Sequence, residues 1–504
     1  MLKNRFFLRS MVVIAICLAG VFMFVSCKKQ SDEKQITSFS FTVPPAVGVI
    51  NESAKTIAVT VPEGTDVTAL SPVIVVSSLA TVVPYSGVPQ NFTYPVTYMV
   101  SAENGSAVNY VVTVTIDGDN GGGGGGGGEG NTLSGSMWEN RTLTKGEYIV
   151  EGDFRIEGNA LLTIEAGVEI RFSSTNGAIT VTNNAGMTMN GTASEPVKIL
   201  GPIDNTNKGS WNRIQYNSNR ADNIMNYVHL SLGGSGSYAY SAMVEVGAGM
   251  LKMNNCIIDG SAKNGIVVSG DATLTEFNNN EIKNCNENPV YANSNVMAVK
   301  NVNGTNSFTG NVKNYIYVGK ETIGETMTLN RLSIPWFFDN GLYVNDNSTP
   351  VTLTIEAGTS LFFNSDKRLE VDKNGILVAE GTASNRIIIR GETNQPGYWK
   401  GIYIKSEQNG NKLNYCDISG SGMGSSYDKN SNLYLDPTGD KMRLQVLNTT
   451  LTGSGFYGLG VEGDKSKFDQ VDWQNVTFGT CSGGNVWHYN TGKIYNSFEE
   501  FLED

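Results

Sequence analysis

Histidine and charged residues are scarce in this 504-residue sequence. It contains two histidines, and charged residues make up 17% of it, below the roughly 25% of an average soluble protein. Acidic residues outnumber basic ones by 48 to 36, which gives a formal net charge of −12. Nucleic acids and anionic membrane surfaces bind clustered Lys and Arg, so this balance argues against both as partners. Two histidines leave little room for a His-based metal site. We predict no metal site and no cofactor.

Cysteine is also rare, with six residues in the chain, two of which (Cys17 and Cys27) lie near the amino terminus. None of the other four has CxxC or similar metal-ligand spacing, and each lies in or just after an apolar, strand-like stretch. Export would allow them to pair as disulfides, but the pattern favours buried, free thiols. These four residues are Cys256, Cys285, Cys416 and Cys481.

The amino-terminal apolar run, Met11–Val25, is too short to span a membrane. A helix needs about 20 residues to cross a ~30 Å hydrocarbon core, and this run follows a short basic stretch. These proportions predict a secretory signal peptide at residues 1–26. Its end, Phe24-Val25-Ser26-Cys27, resembles a bacterial lipobox, in which the cysteine is lipidated and becomes the first residue of the mature chain.

The lipobox resemblance implies a location for the protein. Lys28 follows the cysteine, and lipoproteins with this pattern are usually delivered to the outer membrane. Ser31-Asp32-Glu33, in the tether at residues 27–35, resembles the acidic signal of Bacteroidetes lipoproteins that face the cell exterior. The resemblance therefore implies a chain anchored to the outer membrane through Cys27, where several acyl chains would hold it durably. The alternative is a soluble secreted protein in which this cysteine is incidental.

Residues 36–117 predict a small all-β domain. The segment Ile57–Val61 alternates apolar residues with Thr and Ala, as a half-buried strand does. Asn104-Gly105, between two apolar runs, is a strong hairpin signal. Together with Tyr110–Val114, these segments resemble the Ig-like modules that follow the lipid anchor in Bacteroidetes lipoproteins. Such modules mostly act as spacers, and carbohydrate binding is the alternative.

A run of eight glycines, Gly121–Gly128, follows this domain. No packed structure is compatible with such a run, so residues 118–132 are predicted to be a flexible linker. Acidic residues flank the glycines, but they lack the spacing of a Ca²⁺-binding loop.

The remainder of the chain contains an internal duplication. The hexapeptide Leu-Thr-Ile-Glu-Ala-Gly occurs at residues 162–167 and again at 353–358. Other matches recur at nearly the same separation: Gly191–Ser194 with Gly381–Ser384, and Trp211 with Trp399. We therefore predict two copies of one unit, at about 138–320 and 336–490.

Within each copy, short runs of Val, Ile and Leu recur between Gly and Asn residues, without helical spacers. Strands so short and so close together do not form βαβ units. They predict a parallel β-helix over residues 133–495, with three strands per coil and left-handed Gly or Asn at the corners. Asparagines such as Asn254-Asn255 and Asn278–Asn280 would hydrogen-bond between coils. The pattern resembles the right-handed β-helices of Bacteroidetes surface proteins, which share the pectin-lyase-like fold.

The end of such a stack has to be covered. The segment Ser497-Phe-Glu-Glu500 matches a capping box, and it predicts a short amphipathic helix within residues 496–504. The predicted fold class is therefore all-β: an Ig-like β-sandwich, a poly-Gly linker, and a right-handed parallel β-helix with an internal duplication and a C-terminal capping helix.

The pectin-lyase-like fold raises the question of catalysis because it includes many polysaccharide-degrading enzymes. Polygalacturonase-like relatives carry D-D, G-H-G and R-x-K motifs, which do not occur in residues 131–504. His229 and His488 form no pair in the sequence. Glu165 and Glu356 occupy equivalent corners of separate copies, too far apart for the ~5–9.5 Å that glycosidase carboxylates need. The sequence therefore predicts no catalytic residue, and an unrecognised lyase or hydrolase site is the alternative.

Exposed aromatic side chains are the candidates for ligand binding. Two Gly/Ser-rich inserts, Ser231–Tyr240 and Ser419–Tyr434, occupy matched positions and are predicted to protrude as loops. Their tyrosines are candidate ligand-binding residues: Tyr238, Tyr240, Tyr427 and Tyr434. Trp211 and Trp399 are further candidates, with a structural role at a coil corner as the alternative. Two matched loops would give two sites and a gain in avidity. The predicted function is non-catalytic binding of polysaccharide or host-surface glycan, or adhesion, with a purely structural surface protein as a further alternative.

Overall fold

The computed structural model describes residues 30–62, 64–92, 95–116, 131–238, 240–294, 296–320, 322–345, 349–423, 430–439 and 441–504. The chain divides into two compact units, Met1–Gly125 and Gly126–Asp504. The predicted signal peptide, Cys27 and the glycine run lie outside the described residues. Among the residues inside them, no helix is long and apolar enough to cross a membrane.

The amino-terminal unit is a sandwich of two β-sheets. Its strands are β1 (Ile36–Thr42), β2 (Pro45–Val47), β3 (Val49–Asn51), β4 (Thr56–Val61), β5 (Pro72–Val76), β6 (Thr81–Val83), β7 (Val96–Ser101) and β8 (Ala107–Ile116), with a 3₁₀ turn at Val67–Ala69. One sheet has the order β2-β1-β5 and the other the order β3-β4-β8-β7-β6. Inward rings of Phe39, Phe92 and Tyr98 fill the space between them, with centroids 5.6 to 6.4 Å from Phe39. The predicted Ig-like sandwich is confirmed.

The second unit is a parallel β-helix whose stacked strands form five sheets, which we number in chain order. Sheet I contains the first half of β11 (Glu147–Ile156), which also pairs with β9 (Thr132–Met137), and then β13 (Glu169–Phe172), β16 (Val197–Leu200), β19 (Val228–Ser231), β21 (Ile257–Asp259), β24 (Glu281–Lys283) and β26 (Ser307–Thr309).

Sheet II continues through both copies of the duplication. It contains the second half of β11 and then β14 (Ala178–Asn183), β17 (Arg213–Ser218), the first half of β20 (Ala242–Asn254), β22 (Asn264–Ser269), β25 (Val290–Asn293), β27 (Ile316–Val318), β30 (Trp336–Phe338), β33 (Ser360–Phe363), β36 (Ile387–Gly391), β39 (Cys416–Ser419), β42 (Thr450–Thr452) and β45 (Thr477–Phe478).

The other sheets belong to one copy each. Sheet III, in the first copy, contains β10 (Arg141–Leu143), β12 (Leu161–Ile164), β15 (Gly186–Asn190), β18 (Ile224–Asn226), the second half of β20, and β23 (Thr273–Asn278). Sheet IV, in the second, contains β28 (Thr322–Ile323), β31 (Leu342–Val344), β34 (Arg368–Val371), β37 (Gly401–Ile404), β40 (Ser431–Leu435), β43 (Tyr457–Val461), β46 (Gly484–His488) and β47 (Ile494–Tyr495). Sheet V contains β29 (Met327–Leu329), β32 (Val351–Ile355), β35 (Gly375–Glu380), β38 (Asn411–Asn414), β41 (Leu444–Leu447) and β44 (Val471–Gln474). Two 3₁₀ turns, Val296–Val299 and Lys465–Phe468, complete the coils.

Side chains that point into the coils form one continuous apolar core. Asparagines line the corners, as predicted, and bond from coil to coil: Asn255 Nδ2 donates to Asn226 Oδ1 over 3.0 Å, and Asn279 Nδ2 to Asn255 Oδ1 over 3.2 Å. Both Asn255 and Asn279 have positive φ angles near 55°, a conformation that asparagine tolerates better than most residues. The polar corner residues therefore satisfy one another instead of interrupting the stack.

The two copies of the duplication are offset by one face of the coil. After the first Leu-Thr-Ile-Glu-Ala-Gly segment the chain enters sheet I through β13, whereas after the second it enters sheet II through β33. This follows from the pairing of β27 with β30 and of β30 with β33. The next strand is β14 of sheet II in the first copy but β34 of sheet IV in the second. Equivalent side chains of the two copies therefore point to different sides of the molecule.

The short helix α1 (Phe498–Glu503) packs at the carboxyl end of the β-helix. Ser497 caps it by accepting a hydrogen bond from the Glu500 amide over 3.2 Å. Phe498 and Phe501 are buried, and both rings contact Phe468. The predicted capping helix is confirmed, since its apolar face covers aromatic side chains of the terminal coil.

The four cysteines of the described chain are free thiols. Cys256, Cys285 and Cys416 are completely buried, and burial raises the pKa of each thiol to about 12. Cys481 is half-buried. The interpretation as free thiols is thus confirmed, with Cys481 the more accessible of the four.

Candidate functional site

The outer face of sheet II carries a row of aromatic side chains. Tyr291, Tyr317, Phe337 and Phe362 occupy corresponding positions on the successive strands β25, β27, β30 and β33. At the ~4.8 Å spacing of paired strands, these positions extend over about 14 Å. We call these four residues the aromatic row.

The rings of the aromatic row pack against one another along the axis of the coil. The centroids of Tyr291 and Tyr317 are 4.1 Å apart with ring planes 7° apart, and Tyr317 lies 5.8 Å from Phe337. Tyr315 adds a further ring 4.6 Å from Phe337. Phe337 is buried, with 4% of its surface exposed, whereas Tyr291, Tyr317 and Phe362 are partly exposed. Burial raises the pKa of Tyr315 to about 12 and also raises that of Tyr317.

A cation covers one end of the row. Arg390 is the residue on β36 that pairs with Phe362, and its guanidinium carbon lies 3.6 Å from the Phe362 ring centroid. Its Nη1 donates to the backbone oxygens of Gly391 over 2.8 Å and Glu392 over 2.6 Å. These bonds help to hold the guanidinium over the ring, a favourable cation–π arrangement.

The other end of the row opens into a groove of 270 Å³. Tyr238 and Tyr240, on the loop between β19 and β20, line one side and are 70% and 49% exposed. The Tyr240 ring lies 6.4 Å from that of Tyr291, so the groove and the row are continuous. The other lining residues include outward side chains of β17, β20 and β22: Arg213, Gln215, Glu245, Val267 and Ser269.

Arg213 and Glu245 form an ion pair inside the groove, with Nε and Oε2 3.2 Å apart. Burial raises the pKa of Glu245, while the charge of Arg213 and a hydrogen bond from the Ala242 amide oppose this effect. Gln215 Nε2 lies 3.5 Å from the same carboxylate oxygen. The groove therefore holds fixed hydrogen-bonding groups of both signs with little net charge.

The loop that carries Tyr238 and Tyr240 is folded back over Trp211. Gly233 lies against the indole, and a β-carbon at this position would clash with the ring. Two backbone bonds anchor the turn: the Gly234 amide donates to Asn212 O over 2.9 Å, and the Ser235 amide to Trp211 O over 3.1 Å. Glycine at 233 thus allows the loop to pack closely while its two tyrosines remain exposed.

Trp211 and Trp399 cannot contact a ligand, because both are completely buried. Each donates its indole N–H to a backbone oxygen over 2.8 Å, to Ser231 in the first copy and Ser419 in the second. Each also stacks on an inward phenylalanine, Phe172 at 4.6 Å or Phe363 at 4.9 Å. The hypothesis of ligand-binding tryptophans is wrong, and their alternative, structural role is the correct one.

Tyr434 is likewise buried, with 1% of its surface exposed. It lies on β40 rather than on the preceding loop, its ring rests over Gly460, and its hydroxyl donates to Glu462 Oε2 over 2.9 Å. Its prediction as a ligand-contacting residue is therefore wrong. Tyr427 lies outside the described residues.

The two histidines lie on different sheets of the β-helix. His229 lies on sheet I, where burial lowers its pKa and nearby Lys198 and Lys283 act in the same direction. His488, on β46, contacts Gly463 O through Nε2 at 3.1 Å. Within the described ranges, no three His, Cys, Asp or Glu side chains come together in a way that could hold a metal ion.

Sequence reasoning missed the aromatic row. Its members recur at intervals of one coil, but coil length varies, so the shared face becomes visible only once the strand register is known. Arg213 and Glu245 were missed for the same reason, since they lie on different coils. One local signal was present in the sequence. Each ring of the row has an apolar strand residue on either side, and because neighbouring strand residues point to opposite faces, inward neighbours imply an outward ring.

Two segments match known protein families. Residues 36–114 match the family described as SGBP, N-terminal, the amino-terminal region of Bacteroidetes surface glycan-binding proteins. Residues 135–216 match the pectate-lyase like beta helix domain. No curated protein shows significant similarity to the chain.

Among solved structures, the chain is similar over part of its length to two Bacteroides proteins. One is a candidate glycoside hydrolase from Bacteroides thetaiotaomicron, with 28% sequence identity over 17% of this chain and 26% of that chain, at a TM-score of 0.16. The other is a candidate secreted protein from Bacteroides fragilis, with 19% identity over 17% of this chain and 96% of that chain, at a TM-score of 0.15. The matched region thus spans about a quarter of the first relative and nearly all of the second.

Proposed function

We propose that this chain is a non-catalytic surface lipoprotein that binds polysaccharide along sheet II. The observation that carries the proposal is the continuity of the groove with the aromatic row, with Tyr238 and Tyr240 exposed beside both. A sugar ring has an apolar C–H face and a rim of hydroxyls. Exposed aromatic surface next to paired polar groups suits both features.

Hydrogen bonding favours a neutral sugar in the groove. The carboxylate of Glu245 accepts hydrogen bonds from hydroxyls, and the guanidinium of Arg213 donates them, while their mutual ion pair leaves little net charge. A uronate would have to compete with Glu245 for Arg213. The chain as a whole carries a net charge of −12, which further disfavours an acidic polymer.

The family match of residues 36–114 supports a surface glycan-binding role. In this proposal, Cys27 carries the lipid anchor in the outer membrane and residues 27–35 form the tether. The sandwich at 36–117 serves as a spacer, the linker at 118–132 gives the β-helix freedom, and the protein faces the cell exterior.

Catalysis is the competing function, and the match of residues 135–216 to a pectate-lyase like domain is the observation that favours it. The groove argues against hydrolysis by a carboxylate pair, because Glu245 is the one carboxylate among the described residues that line it. A test is incubation of the mature protein with glucan, mannan, xylan and polygalacturonate. Release of reducing ends or unsaturated products would contradict a purely binding role.

Binding is tested with the full mature chain and the same four polysaccharides. We expect Tyr238→Ala with Tyr240→Ala to weaken binding of the best ligand at least twofold in affinity electrophoresis. Tyr85→Ala is the matched control, since Tyr85 is similarly exposed, at 65%, but belongs to the other unit. Unchanged affinity in the double variant would overturn the assignment of the groove.

The anchor is tested separately by Cys27→Ser. We expect this variant to leave the membrane fraction for the soluble fraction, because lipidation requires the cysteine thiol. If the variant remains membrane-bound, Cys27 is not the anchor.

A further inference from the structure

Sheet IV of the second copy corresponds to sheet II of the first. The duplication aligns β20 with β40, β22 with β43 and β25 with β46, although β40, β43 and β46 belong to sheet IV. The groove and the start of the aromatic row lie on β20, β22 and β25. Equivalent positions of the second copy therefore show whether a comparable surface was kept there.

The equivalent strands also carry an aromatic surface. Trp487 on β46 follows the buried Val486, just as Tyr291 on β25 follows the buried Val290. Tyr457 stacks on Trp487 with centroids 4.9 Å apart and planes 11° apart. Tyr489 contacts the same indole edge-on at 5.4 Å, and Phe456 lies 6.3 Å from Tyr457. We call Phe456, Tyr457, Trp487 and Tyr489 the second patch.

The second patch is partly exposed and rests against a buried ring. Phe456 and Tyr489 are 37% and 39% exposed. The buried ring of Tyr434 contacts Tyr489 at 6.5 Å, and a β-carbon at Gly460 would come within 2.5 Å of the Tyr434 ring. Glycine at 460 therefore leaves room for the Tyr434 ring, which meets Tyr489 edge-on.

Two carboxylates lie near Tyr434, the buried ring that contacts the second patch. Glu462 accepts a hydrogen bond from the Tyr434 hydroxyl over 2.9 Å, and Asp436 accepts one from Tyr403. Both carboxylates are half-exposed. Exposed rings beside hydrogen-bond acceptors are the same chemistry that suits the groove to a sugar.

We propose that the second patch is a second polysaccharide-binding site, that it takes the same class of neutral glycan as the groove, and that one molecule thereby bridges two polymer chains. The inference rests on the proposed function. Because the copies are offset by one face, the two sites lie on different sides of the β-helix. A single straight polymer chain along sheet II does not reach sheet IV, so the two sites engage separate chains.

The test is isothermal titration of the full mature chain with short oligosaccharides of glucose, mannose and xylose. We expect two molecules bound per chain, and one in Tyr489→Ala with Phe456→Ala. Tyr238→Ala with Tyr240→Ala should also reduce the number to one, and Tyr85→Ala should leave it at two. Circular dichroism and the melting temperature confirm that each variant is folded.

The outcomes separate this inference from the proposed function. One bound molecule in the wild type, lost in the groove variant and kept in the patch variant, overturns the second site and leaves the groove intact. Loss only in the patch variant overturns the groove instead. No binding to any of the three oligosaccharides overturns both.

Bridging has its own readout. The wild-type chain should aggregate the long polysaccharide and raise light scattering at least severalfold, whereas either double variant should bind without aggregating it. Two bound molecules without aggregation would overturn the bridging.

Discussion

Replacement of Trp399 by alanine should destabilise the β-helix without changing glycan affinity. The indole is completely buried, stacks on Phe363 and donates a 2.8 Å hydrogen bond to Ser419 O. Removing a large buried aromatic side chain lowers the free energy of unfolding by about 3–5 kcal/mol. We take this range to include the cost of leaving the Ser419 carbonyl without its hydrogen bond. For the roughly 370 residues of this unit, the entropy of unfolding near 60 °C is about 0.8 kcal/mol per kelvin. The melting temperature should therefore fall by about 4–6 °C.

The duplication supplies a matched control for this experiment. Trp211→Ala removes the same stacking and the same 2.8 Å bond in the first copy, so a shift of similar size is expected. Tyr238→Ala, at a 70% exposed residue, should shift the melting temperature by less than 1 °C. Calorimetry measures all three shifts, and affinity is measured 20 °C below each melting temperature. A Trp399→Ala variant that melts normally but binds glycan poorly would refute the structural role.

Three further predictions follow from buried polar groups. Asn280→Ala removes hydrogen bonds to Met253 O, Cys256 N and Asn306 Oδ1, so it should lower the free energy of unfolding by about 2–4 kcal/mol in thermal unfolding. Asn184→Ala, at an exposed residue, should lower it by less than about 0.5 kcal/mol. Equal losses in the two variants would contradict the stabilising role of the asparagine bonds between coils. Because burial raises the pKa of Glu245 in the folded protein, this residue contributes stability at pH values below its ordinary pKa of 4.5, and the contribution is lost as the pH rises through the raised pKa. The melting temperature of the wild type relative to that of Glu245→Gln should therefore fall as the pH rises from 4.5 to 7. A difference that does not change with pH would refute the raised pKa. In the native protein at pH 8, Cys481 should react with an aromatic disulfide reagent before Cys256, Cys285 and Cys416. Burial shields these three thiols from the reagent and raises their pKa to about 12, which keeps them protonated. Simultaneous reaction of all four cysteines would contradict this burial.

The fold was largely predictable from the sequence because short, repeated sequence patterns determine it. The duplicated Leu-Thr-Ile-Glu-Ala-Gly segment, the short strands and the asparagine corners each predict a feature that needs no knowledge of distant contacts. The capping helix was predicted from four residues, Ser497–Glu500. In each case the chemistry of neighbouring residues decides the local structure.

The candidate site was only partly predictable because it depends on register. Tyr238 and Tyr434 look alike in sequence, but the first stands on a loop and the second packs over Gly460. Trp211 and Trp399 recur at matched positions because both copies need the same internal stacking. Repetition alone does not distinguish a structural residue from one that binds a ligand.

The aromatic row was not predicted because its members are not repeated in the sequence at a constant interval. Its four rings come from four coils of unequal length, so only the pairing of β25, β27, β30 and β33 brings them together.

The one-face offset between the copies has a mechanical consequence. The segment from β26 to β30 sets the angle between two surfaces that were identical when the duplication arose. Insertion or deletion of a single strand in this segment would turn one surface relative to the other and leave both cores intact. The number of strands in this junction thus determines the rotation of one copy relative to the other about the axis of the β-helix. Evolution can change the direction in which each half reaches without redesigning either surface.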